Sequence, residues 1–120
     1  MPLSCLIVDD NARFREEACA LLAEQGIEIV GAAANAAEAV ELVAARMPDV
    51  VLVDIDLGGE SGLDLARVLH ERAAAMRIIL ISTHDSREYA DLIAASPAIG
   101  FLAKTQLSAE AVQAMVAARG

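Results

Sequence analysis

Residues 50–57 read Val50-Val51-Leu52-Val53-Asp54-Ile55-Asp56-Leu57. Four apolar residues in a row, three of them β-branched, leave no polar face, so a strand here is buried on both sides. Burial on both sides belongs to a parallel sheet with crossover helices, and this run ends abruptly in a carboxylate. Comparable apolar runs recur at Cys5–Val8, Ile27–Val30, Ile78–Ile81 and Ile99–Leu102. Between the runs apolar residues fall three or four apart, as in Phe14/Ala18/Leu21/Leu22, Val40/Val43/Ala44 and Leu65/Val68/Leu69. That spacing predicts helices with one buried stripe. The punctuation agrees: Gly26 follows the first helix, Asn35 caps the second with Glu38 three residues on, and Pro48 lies beyond its end. Gly62 stands near the start of the third helix, Ser86 and Ser108 are candidate caps for the fourth and fifth, and Ser96-Pro97 ends the fourth. Five βα units follow, with no linker, forming one α/β domain over residues 1–120: an open, doubly wound (βα)5 arrangement on a five-stranded parallel sheet.

Composition removes several function classes. The 120 residues carry nine basic and eighteen acidic side chains, a formal charge of -9, which argues against a nucleic-acid backbone as direct partner. No uninterrupted apolar run approaches the ~20 residues of a spanning helix. The opening Met1-Pro2-Leu3-Ser4 lacks the basic segment of a signal peptide, so a cytoplasmic protein without a membrane role is expected. Cys5 and Cys19 are too few for a disulfide framework and read as core thiols. Aromatic residues are only 2% of the chain, so the core is predicted to be built from Val, Ile, Leu, Ala and Met.

In an open α/β sheet, ligands bind at the carboxyl ends of the strands. Asp9 and Asp10 follow the first run, Asp54 and then Asp56 the third, Ser82 and Thr83 the fourth, and Lys104 the fifth. The second run ends in Ala32-Ala33-Ala34 and offers no chemistry. Three carboxylates on one rim repel one another, by about 4 kcal/mol for a pair about 4 Å apart at an effective dielectric of 20. Either one of them is protonated or a divalent cation sits among them, and oxygen ligands favour a hard ion such as Mg²⁺. A hydroxyl and an ammonium on the same rim would face an anion brought by that ion, which points to a phosphoryl group. Lys104 is the only lysine; the other cations are Arg13, Arg15, Arg46, Arg67, Arg72, Arg77, Arg87 and Arg119. A compact ammonium in such a chain suggests a specific need.

These residues resemble the receiver domain of two-component response regulators over essentially the whole chain. The resemblance rests on Asp9-Asp10 after Cys-Leu-Ile-Val, on Val-Leu-Val-Asp54-Ile-Asp-Leu, on Gly62 eight residues beyond Asp54, on Ile-Ile-Leu-Ile-Ser82 and on Gly-Phe101-Leu-Ala-Lys104. It implies a flavodoxin-like fold and a phosphoacceptor that takes a phosphoryl group from a phosphohistidine of a sensor histidine kinase or phosphotransfer protein. By that resemblance Asp54 is the nucleophile, Asp10 ligates Mg²⁺ directly, Asp9 acts through water, and the backbone carbonyl of Asp56 completes the protein ligands. Ser82 would hydrogen-bond the phosphoryl oxygens and Lys104 would pair with them. Ser82 moving toward the phosphoryl group would let Phe101 rotate inward, changing the face around the fourth helix, fifth strand and fifth helix. Lys-Thr-Gln-Leu-Ser resembles receivers fused to a LuxR-type helix-turn-helix output, which links the chain to transcription regulation. With 120 residues filled by the switch, any DNA contact would fall to a segment outside them, and homodimerisation through the helical faces is left open.

The sequence departs from that pattern in places. Gly58-Gly59 stands where receivers often have proline, predicting a looser loop, and Thr105 replaces a frequent proline after the lysine. Ser96-Pro97-Ala98 precedes the fifth strand, predicting a short or displaced fourth helix, and Thr83 is bulkier than its usual counterpart. Asp56 puts a charge near the path of hydrolytic water. Two competing functions follow. A receiver-like module that binds partners without phosphorylation would accommodate the departures. A haloacid-dehalogenase-like phosphatase would use Asp54 and Asp56 in turnover, but the acidic pair then belongs late in the chain, not at Asp9-Asp10. The expected protein is therefore not a turnover enzyme. His84 and His70 read as solvated side chains and Tyr89 as packing.

Overall fold

Five parallel strands lie side by side in the order β2-β1-β3-β4-β5 in a computed structural model that describes residues 2–83, 87 and 89–119. The elements are β1 (Ser4–Val8), α1 (Ala12–Glu24), β2 (Glu28–Ala33), α2 (Ala36–Arg46), β3 (Val50–Asp54), α3 (Gly62–Arg72), β4 (Arg77–Ser82), α4 (Ala90–Ala95), β5 (Gly100–Ala103) and α5 (Ala109–Arg119). The (βα)5 architecture predicted from the apolar runs is the one observed.

Alternation along the strands explains the two layers. Leu6, Val8, Val51, Val53, Ile78 and Leu80 face one way, onto Ala39 and Val43 of α2 and Leu65, Ala66 and Leu69 of α3. Cys5, Ile7, Val50, Leu52, Ile79 and Ile81 face the other way, onto Ala18 and Leu22 of α1 and Val112 of α5. Every residue of β3 is buried, as its lack of a polar face requires. Cys5 and Cys19 are free thiols within the second layer, and burial, with a smaller contribution from Cys19, pushes Cys5 up to about 12.

Caps set the helix starts. The Asn11 side chain accepts from Phe14 N at 3.1 Å, Asn35 from Glu38 N at 2.9 Å, and Ser108 from Ala111 N at 3.0 Å. Ser61 caps α3 by accepting from Asp64 N at 3.2 Å. Glu38 reaches back to Ala34 N at 2.8 Å, a box displaced one residue outward. β2 runs past the apolar run Ile27–Val30 through Gly31-Ala32-Ala33, because Leu6, Ile7 and Val8 of β1 pair with those residues after a register shift between Cys5 and Leu6. Small side chains fit there, since a Cβ on Gly31 would come within 2.9 Å of the Leu6 side chain. The fourth helix is short, as Ser96-Pro97 implied: six residues, none buried, with no side-chain cap at Tyr89. The proposed cap Ser86 and the histidine His84 lie outside the described residues.

Candidate functional site

The carboxyl ends of β1, β3, β4 and β5 deliver Asp9, Asp54, Ser82 and Lys104 to one rim. Asp9 is wholly buried, Asp54 and Ser82 are nearly so, and Asp10 is exposed. Carboxylate oxygens of Asp9, Asp10 and Asp54 lie within 4.8 Å of one another. Parallel pairing produces this convergence: Val8 is in register with Val53, and Asp54 with Ile81, so consecutive strands end at nearly one level.

Lys104 enters the acidic cluster. Its ammonium lies 2.6 Å from Asp9 Oδ2 and 3.0 Å from Asp54 Oδ2, with 11% of its side chain exposed. The sequence pointed this ammonium at an incoming phosphoryl group; in the structure it holds two of the acids and so relieves part of their repulsion. Burial alone would lower the Lys104 pKa, but its pairing with the Asp9 and Asp54 carboxylates outweighs that and holds it above the ordinary lysine value. Asp54 sits above the usual carboxylate range, because burial and the charge of Asp9 outweigh Lys104 and the Asp56 N–H. That N–H donates to Asp54 Oδ1 at 3.1 Å, and Asn11 N donates to Asp9 Oδ1 at 2.9 Å. Among the described residues, the buried Asp9 Oδ2 has no hydrogen-bond partner, its ion pair with Lys104 aside. A buried oxygen with spare acceptor capacity beside two more carboxylates fits a hard divalent cation.

Lys104→Met would leave that buried Asp9 oxygen without its counter-charge. The variant is expected to lose about 2 kcal/mol of stability by urea unfolding in metal-free buffer, and added Mg²⁺ should restore more of it than it adds to wild type.

The loop after Asp54 differs from the loose segment its glycines suggested. Gly58 and Gly59, at φ of 59° and 99°, form a tight turn closed by Leu57 N to Glu60 O at 3.1 Å and Glu60 N to Leu57 O at 3.4 Å. Asp56 pairs with Ser61 as an antiparallel bridge, and its exposed carboxylate accepts from Gly58 N at 3.2 Å. Glu60 reaches to Ala36 N at 3.0 Å, tying this turn to the start of α2. Gly58 also backs the acidic cluster, since a Cβ there would lie 2.5 Å from Asp10 Oδ2. Gly58→Ala is therefore expected to displace Asp10 and weaken Mg²⁺ binding by about tenfold, read as a smaller Mg²⁺-induced rise in the unfolding midpoint.

Ser82 is buried at the end of β4, beside Ala103 of β5. Phe101 is half-buried against the apolar layer that holds α2 and α3. His70 is exposed, and Tyr89 packs partly against the same layer. Two neighbours of the site escaped the sequence reading. The Arg15 guanidinium donates to Asp9 O at 2.7 Å, and the Phe14 ring lies under the Lys104 ammonium at 4.4 Å. Phe14 counted only as one more apolar residue of the first helix, although it is one of two phenylalanines in the chain.

A family model described as response regulator receiver domain matches residues 5–117. The chain is 33% identical over 112 residues to the probable transcriptional regulatory protein NarL of Mycobacterium tuberculosis, covering 92% of this chain and 52% of that protein. It spans about half the length of the curated relatives it matches. Among solved structures, the signal receiver domain of the putative response regulator NarL from Mycobacterium tuberculosis superposes with a TM-score of 0.85 at 30% identity, covering 97% of each chain. A Burkholderia pseudomallei response regulator with a phosphorylated aspartic acid, calcium ion and citrate gives a TM-score of 0.83 at 28% identity, covering 95% of this chain and 66% of that one.

Proposed function

The chain belongs to the response regulator receiver domain family, a family of phosphoacceptor signalling domains, and on that premise we propose that Asp54 is its acceptor. The observation that carries this reading is the convergence of Asp54 with Asp9, Asp10 and Lys104 at the strand ends. We assign residues 1–120 to this single domain and a histidine kinase or phosphotransfer protein as donor. An Asp54 carboxylate oxygen bonds to phosphorus while the bond from phosphorus to the donor imidazole nitrogen breaks. The imidazole leaves with that electron pair and is protonated from solvent, and Asp54 becomes a mixed anhydride. Asp10 and Asp54, with Asp9 and the Asp56 carbonyl, would hold Mg²⁺, whose charge would offset that of the phosphoryl oxygens.

The chain's own residues do the rest. The N–H of Asp56 fixes one Asp54 oxygen, leaving the other on the Lys104 ammonium. Lys104 follows the new negative charge, and the Ser82 hydroxyl is the neighbouring donor on β4. As Ser82 draws in, Phe101 takes up the space released. The face of α4, β5 and α5 suits such a change: α4 buries none of its residues and leaves Leu92 55% exposed, so little packing opposes its displacement. The reading makes the domain a self-modifying switch, not a turnover enzyme. A LuxR-type helix-turn-helix output and a cytoplasmic location belong to the same proposal; among the described residues no helix is long and apolar enough to cross a membrane.

Incubation with Mg²⁺ and acetyl phosphate tests it by intact mass and released phosphate. One persistent phosphoryl adduct is expected. Rapid multiple-turnover release without an adduct, or neither adduct nor release, would overturn the acceptor role.

A further inference from the structure

The Lys104 ammonium has three sides to account for. Asp9 Oδ2 at 2.6 Å and Asp54 Oδ2 at 3.0 Å take two of them. The Phe14 ring takes a third, its centroid 4.4 Å from Nζ. A ring face attracts a cation through its quadrupole, most strongly where water is excluded, and Lys104 is nearly covered. Phe14 is itself held in place. Its backbone N–H donates to the Asn11 side chain at 3.1 Å, and Asn11 N donates to Asp9 Oδ1 at 2.9 Å. The ring packs partly against the layer that holds Leu22 and Ile81. Asp9, Asn11, Phe14 and Lys104 thus close a circuit in which the start of α1 fixes both an acid and the seat of its counter-charge.

We propose that Phe14 is a positioning residue for the phosphoryl-transfer chemistry, holding the Lys104 ammonium over the end of β3 while leaving its protons free to change partners. The inference rests on the acceptor reading of Asp54. Carboxylates alone would hold the ammonium by directional hydrogen bonds, and it must loosen these to meet phosphoryl oxygens. The ring offers no acceptor atom and little directional preference, so it keeps the flexible side chain near Asp54 without competing for those protons. It also keeps water off the ammonium, which strengthens the ammonium's attraction for an anion.

The test compares Phe14→Leu, which keeps an apolar side chain of similar size, with Phe14→Tyr, which keeps the ring. Phosphorylation by acetyl phosphate with Mg²⁺ is expected to slow by about fivefold to thirtyfold in Phe14→Leu and to stay within about twofold of wild type in Phe14→Tyr. Because Lys104 is the only lysine, ¹³C-lysine labelling gives a single Cε–Hε signal. That signal should be shifted upfield by the ring in wild type and Phe14→Tyr and return toward the free-lysine position in Phe14→Leu. An unshifted signal in wild type overturns the proposal, as does a Phe14→Leu rate equal to wild type or a Phe14→Tyr rate as low as that of Phe14→Leu. If wild type takes up no phosphoryl group, the acceptor role of Asp54 falls and with it the catalytic purpose of the ring, whatever the lysine signal shows.

Discussion

Asp54→Asn is expected to gain no phosphoryl group from acetyl phosphate and Mg²⁺ under conditions where wild type gains one. An amide nitrogen or oxygen is a far poorer nucleophile toward phosphorus than a carboxylate, and no other acid in the cluster has the same surroundings. Asp9 is wholly buried, with one oxygen on Asn11 N and the other against Lys104, whereas Asp10 is exposed and backed by Gly58. Asp54 alone of the three is the terminal residue of a central strand; like Asp9 it has one oxygen on a backbone N–H and the other on the ammonium, but unlike Asp9 it is not wholly covered. The same substitution is expected to raise stability. Burial raises the Asp54 pKa, so the folded state binds this proton more tightly than the unfolded chain does. The stability linked to that proton is full below the unfolded carboxylate pKa and is lost as pH rises through the folded value. At neutral pH the ionised Asp54 therefore costs stability that an asparagine does not, by about 0.5–2 kcal/mol. Urea unfolding in metal-free buffer should place the Asp54→Asn midpoint above wild type near pH 7, with the gap narrowing toward acid. A persistent adduct on Asp54→Asn would move the acceptor elsewhere, and a lower midpoint would mean that its bond to Lys104 outweighs its desolvation.

Much of this site is written along the chain because strand ends are readable in one dimension. A continuous apolar run has to be buried, and burial on both faces has to be parallel, so Val50–Val53 places Asp54 on the ligand rim before any contact is known. The same logic places Asp9, Ser82 and Lys104. Partner choice within the rim is a different matter. Lys104 reaches Asp9 because the strand order puts β1 and β3 side by side, and side-chain length decides how far the ammonium extends into the cluster. The Phe14 ring reaches Lys104 only through the angle at which α1 leaves its Asn11 cap, which periodicity does not encode. Gly58-Gly59 shows the opposite error. Two glycines suggest slack, but positive φ at both central positions is what a tight turn demands, and the hydrogen bonds between Leu57 and Glu60 close it. Alanines carry little strand signal, so the apolar run Ile27–Val30 does not mark where β2 stops; pairing with β1 carries it to Ala33.

Gly62→Ala is expected to cost more than about 4 kcal/mol, a large part of the stability of a domain this size. A Cβ at Gly62 would stand 1.9 Å from Asp54 O, 2.8 Å from Asp54 C and 2.9 Å from Ile55 Cα. All three are backbone atoms of the segment that carries the proposed acceptor, so no side-chain rotation relieves the overlap. Gly62 N also donates to Ile55 O at 2.8 Å, which pins the first turn of α3 against the end of β3. Relief requires moving α3 away from the sheet, opening the layer that holds Leu65, Ala66 and Leu69, or moving the strand end that carries Asp54. Gly26→Ala is the matched control. Gly26 has φ of 99° but, among the described residues, nothing within 4 Å of its would-be Cβ. It should therefore pay only the left-handed backbone cost of about 1–2 kcal/mol. In urea the Gly62→Ala midpoint should fall by about 1.3 M or more, given a slope of about 1–3 kcal/mol per molar for a small protein, and the Gly26→Ala midpoint by clearly less. Should Gly62→Ala remain folded, its phosphorylation rate should still drop, because the overlap falls on the carbonyl of Asp54 itself. Equal midpoints for the two variants would show that contact with the β3 backbone is not what requires glycine at position 62.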